Sequence, residues 1–355
     1  MTINIENYGI TLPTEPANDP AFIPARVTAV HRERYEIICQ YGEIAARLKS
    51  GVYYNDAADT LFPTVGDYVM VQYNNSGDSL IVQTLPRKST FSRNDFSGHG
   101  AAYVKTVLEQ TVAANFDYVF IMASLNDDFN VKRIERYLTM AWQSGAQPVI
   151  VLTKADLSAQ VAEQLRAVQQ IAIGVEVFAI SARTGDGLAQ LTNYLEPRKT
   201  IVFLGSSGVG KSSLVNALAG EEIMKVSEIR EDDAKGRHTT THRQLTLLKS
   251  GVMVIDTPGM RELGLWDADA GIGEAFSDVE SLLGRCKFSD CTHANEPGCE
   301  VRAAMERGEL LEDRWKSYQQ LKKEALFVSD KAAYMRERQQ WHKSLSKTIR
   351  QNKKR

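Results

Sequence analysis

The sequence predicts a multidomain protein: an N-terminal β-barrel, a central α/β domain on a parallel sheet, and a mostly helical C-terminal domain organised by a metal. Three observations carry this reading. Short alternating runs crowd residues 21–92; longer apolar runs alternate with helix-length segments from about residue 112; and three cysteines and a histidine gather within 14 residues near the C-terminus. The 355 residues are 43% hydrophobic and 24% charged, which suits two or three globular domains and argues against disorder. No run of about 18 apolar residues is present, so no membrane-spanning helix is expected. The first 20 residues lack a basic patch followed by an apolar core, so no secretory leader is expected and the cytoplasm is the expected compartment.

Residues 1–20 are polar and Pro-bearing, and are expected to be flexible. The segments 25–30, 35–38, 67–72 and 79–82 then read as strands, punctuated by Gly51, Pro63, Gly66 and Asn74-Asn75-Ser76-Gly77. About five short strands over residues 21–92 predict a small barrel, of which the OB-fold is one kind. Such barrels bind nucleic acid or serve only as docking modules, and composition does not separate the two. Cys39 sits alone between apolar neighbours and reads as a small buried hydrophobe.

Over residues 93–275 the apolar runs 118–123, 148–152, 175–180 and 200–204 read as fully buried strands, with helices over 131–144 and 159–171 between them. That alternation implies a parallel sheet covered on both faces. Residues 276–330 form the metal-bearing helical domain, and 331–355 a basic helix or tail. The net charge of the chain is −2, yet the last 25 residues hold nine Lys/Arg against the single acid Glu337. Such a tail suits a polyanionic partner or a solvated helical face. Trp341, Leu345 and Ile349 recur at helical spacing, which favours a helix with one apolar edge.

The segment Gly205-Ser206-Ser207-Gly208-Val209-Gly210-Lys211-Ser212 matches G-x-x-x-x-G-K-[ST], with a buried strand leading in and the helical run from Ser213 leading out. The glycines let successive backbone N–H groups wrap phosphates. The helix N-terminus adds partial positive charge. Lys211 is expected to reach the β- and γ-phosphates, and the Ser212 hydroxyl to ligate Mg²⁺. Asp256-Thr257-Pro258-Gly259 follows the apolar strand 252–255, so Asp256 is expected at Mg²⁺ and the Gly259 N–H at the γ-phosphate. Between these motifs, either Thr239 or Thr240 is expected to complete the Mg²⁺ shell.

Guanine selection is expected from Thr153-Lys154-Ala155-Asp156. The Asp156 carboxylate can accept both hydrogens of the guanine N1 and N2 edge, which adenine lacks. The Lys154 stem would lie on the base plane, and Ser181-Ala182 would supply a backbone N–H to the guanine oxygen. These residues separate a GTPase from a P-loop ATPase or kinase. In Ras-like GTPases the phosphate loop comes first and the base motifs last; here the base motifs precede it, so the order is circularly permuted.

Cys286, Cys291, His293 and Cys299 offer three thiolates and one imidazole, a closed tetrahedral set suited to a structural Zn²⁺ with no position left for catalysis. In a reducing compartment this cluster reads as metal rather than disulfides.

With these motifs together, the chain resembles the ribosome small subunit-dependent GTPase A (RsgA) family, circularly permuted GTPases. The resemblance spans about residues 22–325 and includes Gly-Arg-His-Thr-Thr-Thr at 236–241, Asp-Thr-Pro-Gly-Met-Arg-Glu at 256–262, and the cluster from Cys286 to Cys299. Arg314, Tyr318 and Arg136-Tyr137-Leu138 also match. It implies an N-terminal OB-fold, a GTP/GDP cycle with Mg²⁺, one Zn²⁺, a monomer, and a role in late maturation of the small ribosomal subunit through its rRNA, with hydrolysis stimulated by that subunit. Two departures stand out. Thr153 replaces the more common Asn, so a hydrogen bond tying this loop to the phosphate loop is expected to weaken. Met260 stands where Ras-like enzymes carry a water-orienting Gln, so intrinsic hydrolysis is expected to be slow, with His238 or the ribosome supplying the missing group. A GTP-switched RNA-binding scaffold with incidental turnover, or a permuted GTPase of another ribonucleoprotein assembly, are the rival readings.

Overall fold

The computed structural model describes residues 3–10, 22–31, 34–53, 61–95, 108–224, 243–256 and 269–329. His238, Thr239, Thr240, Gly259, Met260 and the basic tail 331–355 lie outside the described residues.

Five strands form the barrel: β1 (Phe22–His31), β2 (Arg34–Cys39), β3 (Gly42–Leu48), β4 (Tyr68–Gln72) and β5 (Ser79–Thr84), with a short helix α1 (Ser50–Tyr53) after β3. They close in the order β1-β2-β3-β5-β4-β1, with β3–β5 parallel and the other pairs antiparallel. Ala25, Val27, Ile37, Val69, Val71 and Ile81 fill the interior, together with Cys39. β3 is absent from the alternating runs in the sequence because Glu43-Ile44-Ala45-Ala46 is made of helix-tolerant residues; pairing on both edges overrides that propensity.

The expectation of a flexible segment over 1–20 does not hold for residues 3–10. Ile5–Tyr8 form a 3₁₀ turn capped by the Asn4 side chain, and Ile5 and Ile10 are buried. The Ile3 N–H donates to the Gln40 carbonyl. Apolar side chains with a place to pack outweigh the polar character of the stretch.

A hairpin of β6 (Thr90–Asp95) and β7 (Leu108–Ala114) leads into the central sheet. That sheet contains β8 (Tyr118–Ser124), β9 (Gln147–Thr153), β10 (Val177–Ala179), β11 (Thr200–Gly205), β12 (Gln244–Leu247) and β13 (Met253–Asp256). The order is β10-β9-β8-β11-β13-β12, parallel except for β12. Successive side chains alternate between two cores. Ile121, Ile150, Leu152, Val202, Leu204 and Ile255 face one; Phe120, Val149, Val151, Phe203 and Val254 face the other.

Helix α2 (Val131–Gln143) is capped by Asn130, whose side chain accepts from the Arg133 N–H, and buries Ile134, Leu138 and Ala141 at helical spacing. α3 (Val161–Gln169) joins it on the first core, and α4 (Lys211–Ala219) covers the second through Leu214 and Val215. Both α2 and α3 match the helices expected over 131–144 and 159–171, with slightly shorter ends.

The C-terminal helices are α5 (Asp269–Ala275), α6 (Ser277–Glu280), α7 (Glu300–Glu306) and α8 (Glu312–Ser329). Phe276, Val279, Val301 and Trp315 belong to the same core as the sheet and α2, so these helices dock on the central domain rather than standing apart.

The barrel is fastened as well. Ala29 on β1 pairs with Gln244 on β12. The fully buried Arg26 donates to the carbonyls of Gly66, Tyr8 and Asn115 and to Thr200 Oγ1, at 2.8–3.1 Å. A buried guanidinium is tolerated because acceptors surround it.

Candidate nucleotide site and metal centre

The phosphate-loop residues, the base-motif residues and Asp256 all stand at the carboxyl ends of neighbouring parallel strands, where an open α/β sheet places ligands. Gly205 ends β11, and a Cβ there would sit 2.8 Å from the Met122 carbonyl oxygen, so only glycine allows the two strands to approach this closely. Gly210 has a φ of +101° and caps α4, whose first residues are Lys211 and Ser212. Asp256 ends β13, the neighbour of β11. Burial pushes its carboxyl above the usual carboxylate range, and the charge of Lys211 draws it part of the way back. A partly buried carboxylate within electrostatic reach of Lys211, at the start of α4, is an oxygen donor of the kind that suits a hard divalent cation.

Thr153 ends β9 and corrects an expectation. Its hydroxyl donates to the Val209 carbonyl at 2.6 Å, so the tie to the phosphate loop is made despite the shorter side chain. The reason is proximity: a Cβ on Gly210 would lie 3.8 Å from Thr153, so the loop passes directly over β9. Thr153→Val is expected to remove this bond and weaken GDP binding about three- to ten-fold, measured by fluorescent-GDP titration. An unchanged affinity would mean that the loop holds its shape without it.

Lys154 adopts a left-handed backbone, φ +59°, which turns the chain into the short 3₁₀ segment Ala155–Leu157. The Ala155 N–H donates to the Ile180 carbonyl at 3.0 Å, joining the two base loops. Asp156 is exposed as a residue, but its side chain is largely covered. The Ser181 hydroxyl, against the opposing effect of burial, and the Arg183 guanidinium at 2.9 Å hold its carboxyl below the usual range. The Ser181 N–H is taken by the Asp186 carbonyl at 2.9 Å, so of the Ser181-Ala182 pair only the Ala182 N–H is suited to the guanine oxygen. Arg183 escaped the sequence reading; a cation two places after Ser181 was its available signal.

On the far flank of the loop, Ser206 donates to Asp128 Oδ2 at 2.9 Å, a contact between residues 78 apart with no sequence signature.

The four expected metal ligands also come together. The ligand atoms of Cys286, Cys291, His293 and Cys299 all lie within 4.8 Å of one another. Nδ1 of His293 is 3.5 Å from the Cys286 sulfur and 3.6 Å from that of Cys299. A tetrahedral zinc with bonds of about 2.0–2.3 Å separates its ligand atoms by roughly 3.3–3.8 Å; the two His293–sulfur separations already match, and the wider ones, up to 4.8 Å, need to close by no more than about 1 Å. His293 is left-handed, φ +60°, and its ring stands edge-on to Trp315. Glu296 fastens the loop by accepting from the Thr292, Ala294 and Asn295 N–H groups and from the Thr292 hydroxyl, which brings its carboxyl down to about 2. Cys299 caps α7, and the Glu300 N–H points at the Cys286 sulfur at 3.4 Å.

Comparison with known proteins places these features in context. The profile of a family described as RsgA GTPase matches residues 84–266, and that of one described as 50S ribosome-binding GTPase matches residues 200–355. The chain is 44% identical over 91% of its length to "Small ribosomal subunit biogenesis GTPase RsgA 2" of Lactiplantibacillus plantarum, covering 90% of that protein. It is 44% identical over 98% of its length to "Small ribosomal subunit biogenesis GTPase RsgA 1" of Listeria monocytogenes, covering 97% of it. The crystal structure of YjeQ from Thermotoga maritima superposes with a TM-score of 0.63 at 27% identity, over 86% of this chain and 99% of that one. YloQ, described as a circularly permuted GTPase, shares the fold with a TM-score of 0.59 at 24% identity, over 88% of this chain and 98% of that one.

Proposed function

The chain belongs to the RsgA family of GTPases, and from that premise we propose that it binds the small ribosomal subunit late in its maturation and is released through GTP hydrolysis that the subunit stimulates. The observation that carries the nucleotide half of this reading is the Thr153–Val209 hydrogen bond, which joins a base loop early in the chain to a phosphate loop 56 residues later. Permutation has moved the termini and left the contacts.

In this reading Asp156 takes the guanine N1 and N2 edge, Lys154 covers the base plane, and the Ala182 N–H meets the guanine oxygen. The loop amides of Gly205, Ser206, Ser207, Gly208, Val209 and Gly210, with those of Lys211, Ser212 and Ser213, surround the phosphates. Ser212, Asp256 and Thr239 or Thr240 would hold Mg²⁺, which when bound would neutralise phosphate charge. Lys211 spreads the remaining charge, and Gly259 senses the γ-phosphate. Met260 cannot orient water, so turnover is slow until the ribosome completes the site or brings His238 to bear. Cys286, Cys291, His293 and Cys299 would hold one Zn²⁺, which would fix the loop ahead of α7. The protein acts as a cytoplasmic monomer, with rRNA as the polyanion met by its basic tail.

The match to a 50S ribosome-binding family covers only the part of the chain from the phosphate loop onward, whereas the small-subunit relatives match nearly the whole chain. The latter therefore weigh more. GTP hydrolysis by the purified protein, with and without small subunits, decides between them. Strong stimulation by small subunits, and none by large subunits or with ATP, is expected, with His238→Ala losing the stimulated rate. A rate unchanged by small subunits would favour the scaffold reading, and stimulation by large subunits the other assembly.

A further inference from the structure

The phosphate loop is braced on both flanks. Thr153 holds the Val209 carbonyl on one side. On the other, the buried Ser206 donates its hydroxyl to Asp128 Oδ2 at 2.9 Å. A hydroxyl shielded from water needs such an acceptor. The same Asp128 oxygen accepts from Arg133 Nη1 at 2.7 Å, so no bare negative charge stands behind a loop that must receive phosphates. Asp128 lies two residues ahead of Asn130, the cap of α2, and Arg133 is in the first turn of that helix. The carboxylate thus ties the loop to the start of α2.

Further along, α2 carries the C-terminal domain. Glu135 accepts from Arg314 Nη1 at 2.8 Å and from the Ser317 hydroxyl at 2.5 Å. Arg136 pairs with both oxygens of Glu324 at 2.5 and 2.6 Å. The helix is therefore linked through Arg133 and Asp128 to the phosphate loop, and through the adjacent Glu135 and Arg136 to α8.

We propose that Asp128 is a positioning residue for the phosphate loop, and that through it α2 makes the docking of the C-terminal domain a determinant of nucleotide affinity. Such coupling needs a continuous packed route, and α2 supplies one. It is reciprocal: nucleotide in the site strengthens the seating of α8 by the same factor. It stands whether or not the ribosome is the partner.

Fluorescent-GDP titration of the full chain tests this. Asp128→Ala is expected to weaken GDP about three- to ten-fold. Asp128→Asn, whose amide oxygen still accepts from Ser206, is expected to recover most of the loss. Adding Ser206→Ala to Asp128→Ala should cost nothing more, because the Ser206–Asp128 bond is already gone. Competition by guanosine, which has no phosphate to misplace, should be unchanged in Asp128→Ala. Equal losses for GDP and guanosine, or additive losses for the two substitutions, would overturn the positioning role. For the α2 route, Arg136→Gln on the half-exposed seam with α8 is expected to weaken GDP about two-fold in the wild-type background and not at all beside Asp128→Ala. No effect in the wild type, or the same effect in both backgrounds, would overturn it.

Discussion

Asp156→Asn is expected to abolish guanine selectivity and create selectivity for xanthine. In the proposed base site the carboxylate accepts two hydrogens from guanine, whereas an amide would turn one of those acceptors into a donor facing a donor. Xanthine carries an oxygen where guanine has its amino group, so it restores complementarity. A site built to hydrogen-bond a ligand edge rejects a mismatched analogue by about 10⁴-fold when fully buried. Asp156 is an exposed residue whose side chain is largely covered, so a loss of GDP affinity on the order of 10²- to 10³-fold is expected, with XDP gaining in compensation. Competition titrations with GDP, XDP and ADP measure it. A variant that still prefers GDP would remove Asp156 from the base site. The Ser181 hydroxyl and Arg183 hold the carboxyl below its usual range, so it loses its charge only at more acid pH than an ordinary Asp. Selectivity in the unaltered protein should accordingly be flat between pH about 5 and 8.

Arg314→Met is expected to undock the C-terminal domain. Arg314 is buried, bonded to Glu135, to both oxygens of Asp278 and to the Ala275 carbonyl, and its guanidinium lies 4.0 Å over the Phe276 ring. Removing it leaves the buried carboxylate of Glu135 without its cation. Breaking such a pair from one side costs about 3–5 kcal/mol, a large share of the roughly 5–15 kcal/mol that holds a typical domain folded. Urea unfolding and limited proteolysis of the seam between α2 and α8 read the effect. Arg314→Met with Glu135→Leu should recover much of the loss, because two apolar side chains replace a buried pair without an orphaned charge. A cost below about 1 kcal/mol for the single substitution would mean that water reaches Glu135 and that the seam is looser than its geometry indicates.

These two experiments probe residues of different legibility. Asp156 is a legible candidate because guanine recognition of the proposed kind needs a carboxylate just after a buried strand, and Thr153-Lys154-Ala155-Asp156 shows that order locally. Arg314 could be singled out only by family resemblance: nothing near it in the chain points to Glu135, which lies 179 residues earlier. Thr153 falls between. Its place is legible, but its bond is not, because the reach of a side chain depends on how near the phosphate loop passes. The Ile5–Tyr8 turn and β3 were missed for a related reason. Local composition favours another state in each, and packing against distant strands overrules it.

What the sequence alone determined is the chemistry that lies within one short segment: the phosphate loop, the guanine motif, the Cys₃His cluster and their permuted order. Each requires fixed residue types at fixed spacing, and a handful of neighbouring residues can satisfy it. Only the tertiary structure decided how these segments are braced together. The Ser206–Asp128 bond, the Arg26 junction beneath the barrel and the Glu135–Arg314 seam join residues scores to hundreds apart, and the strand order that brings such pairs into contact is a property of the whole folded sheet.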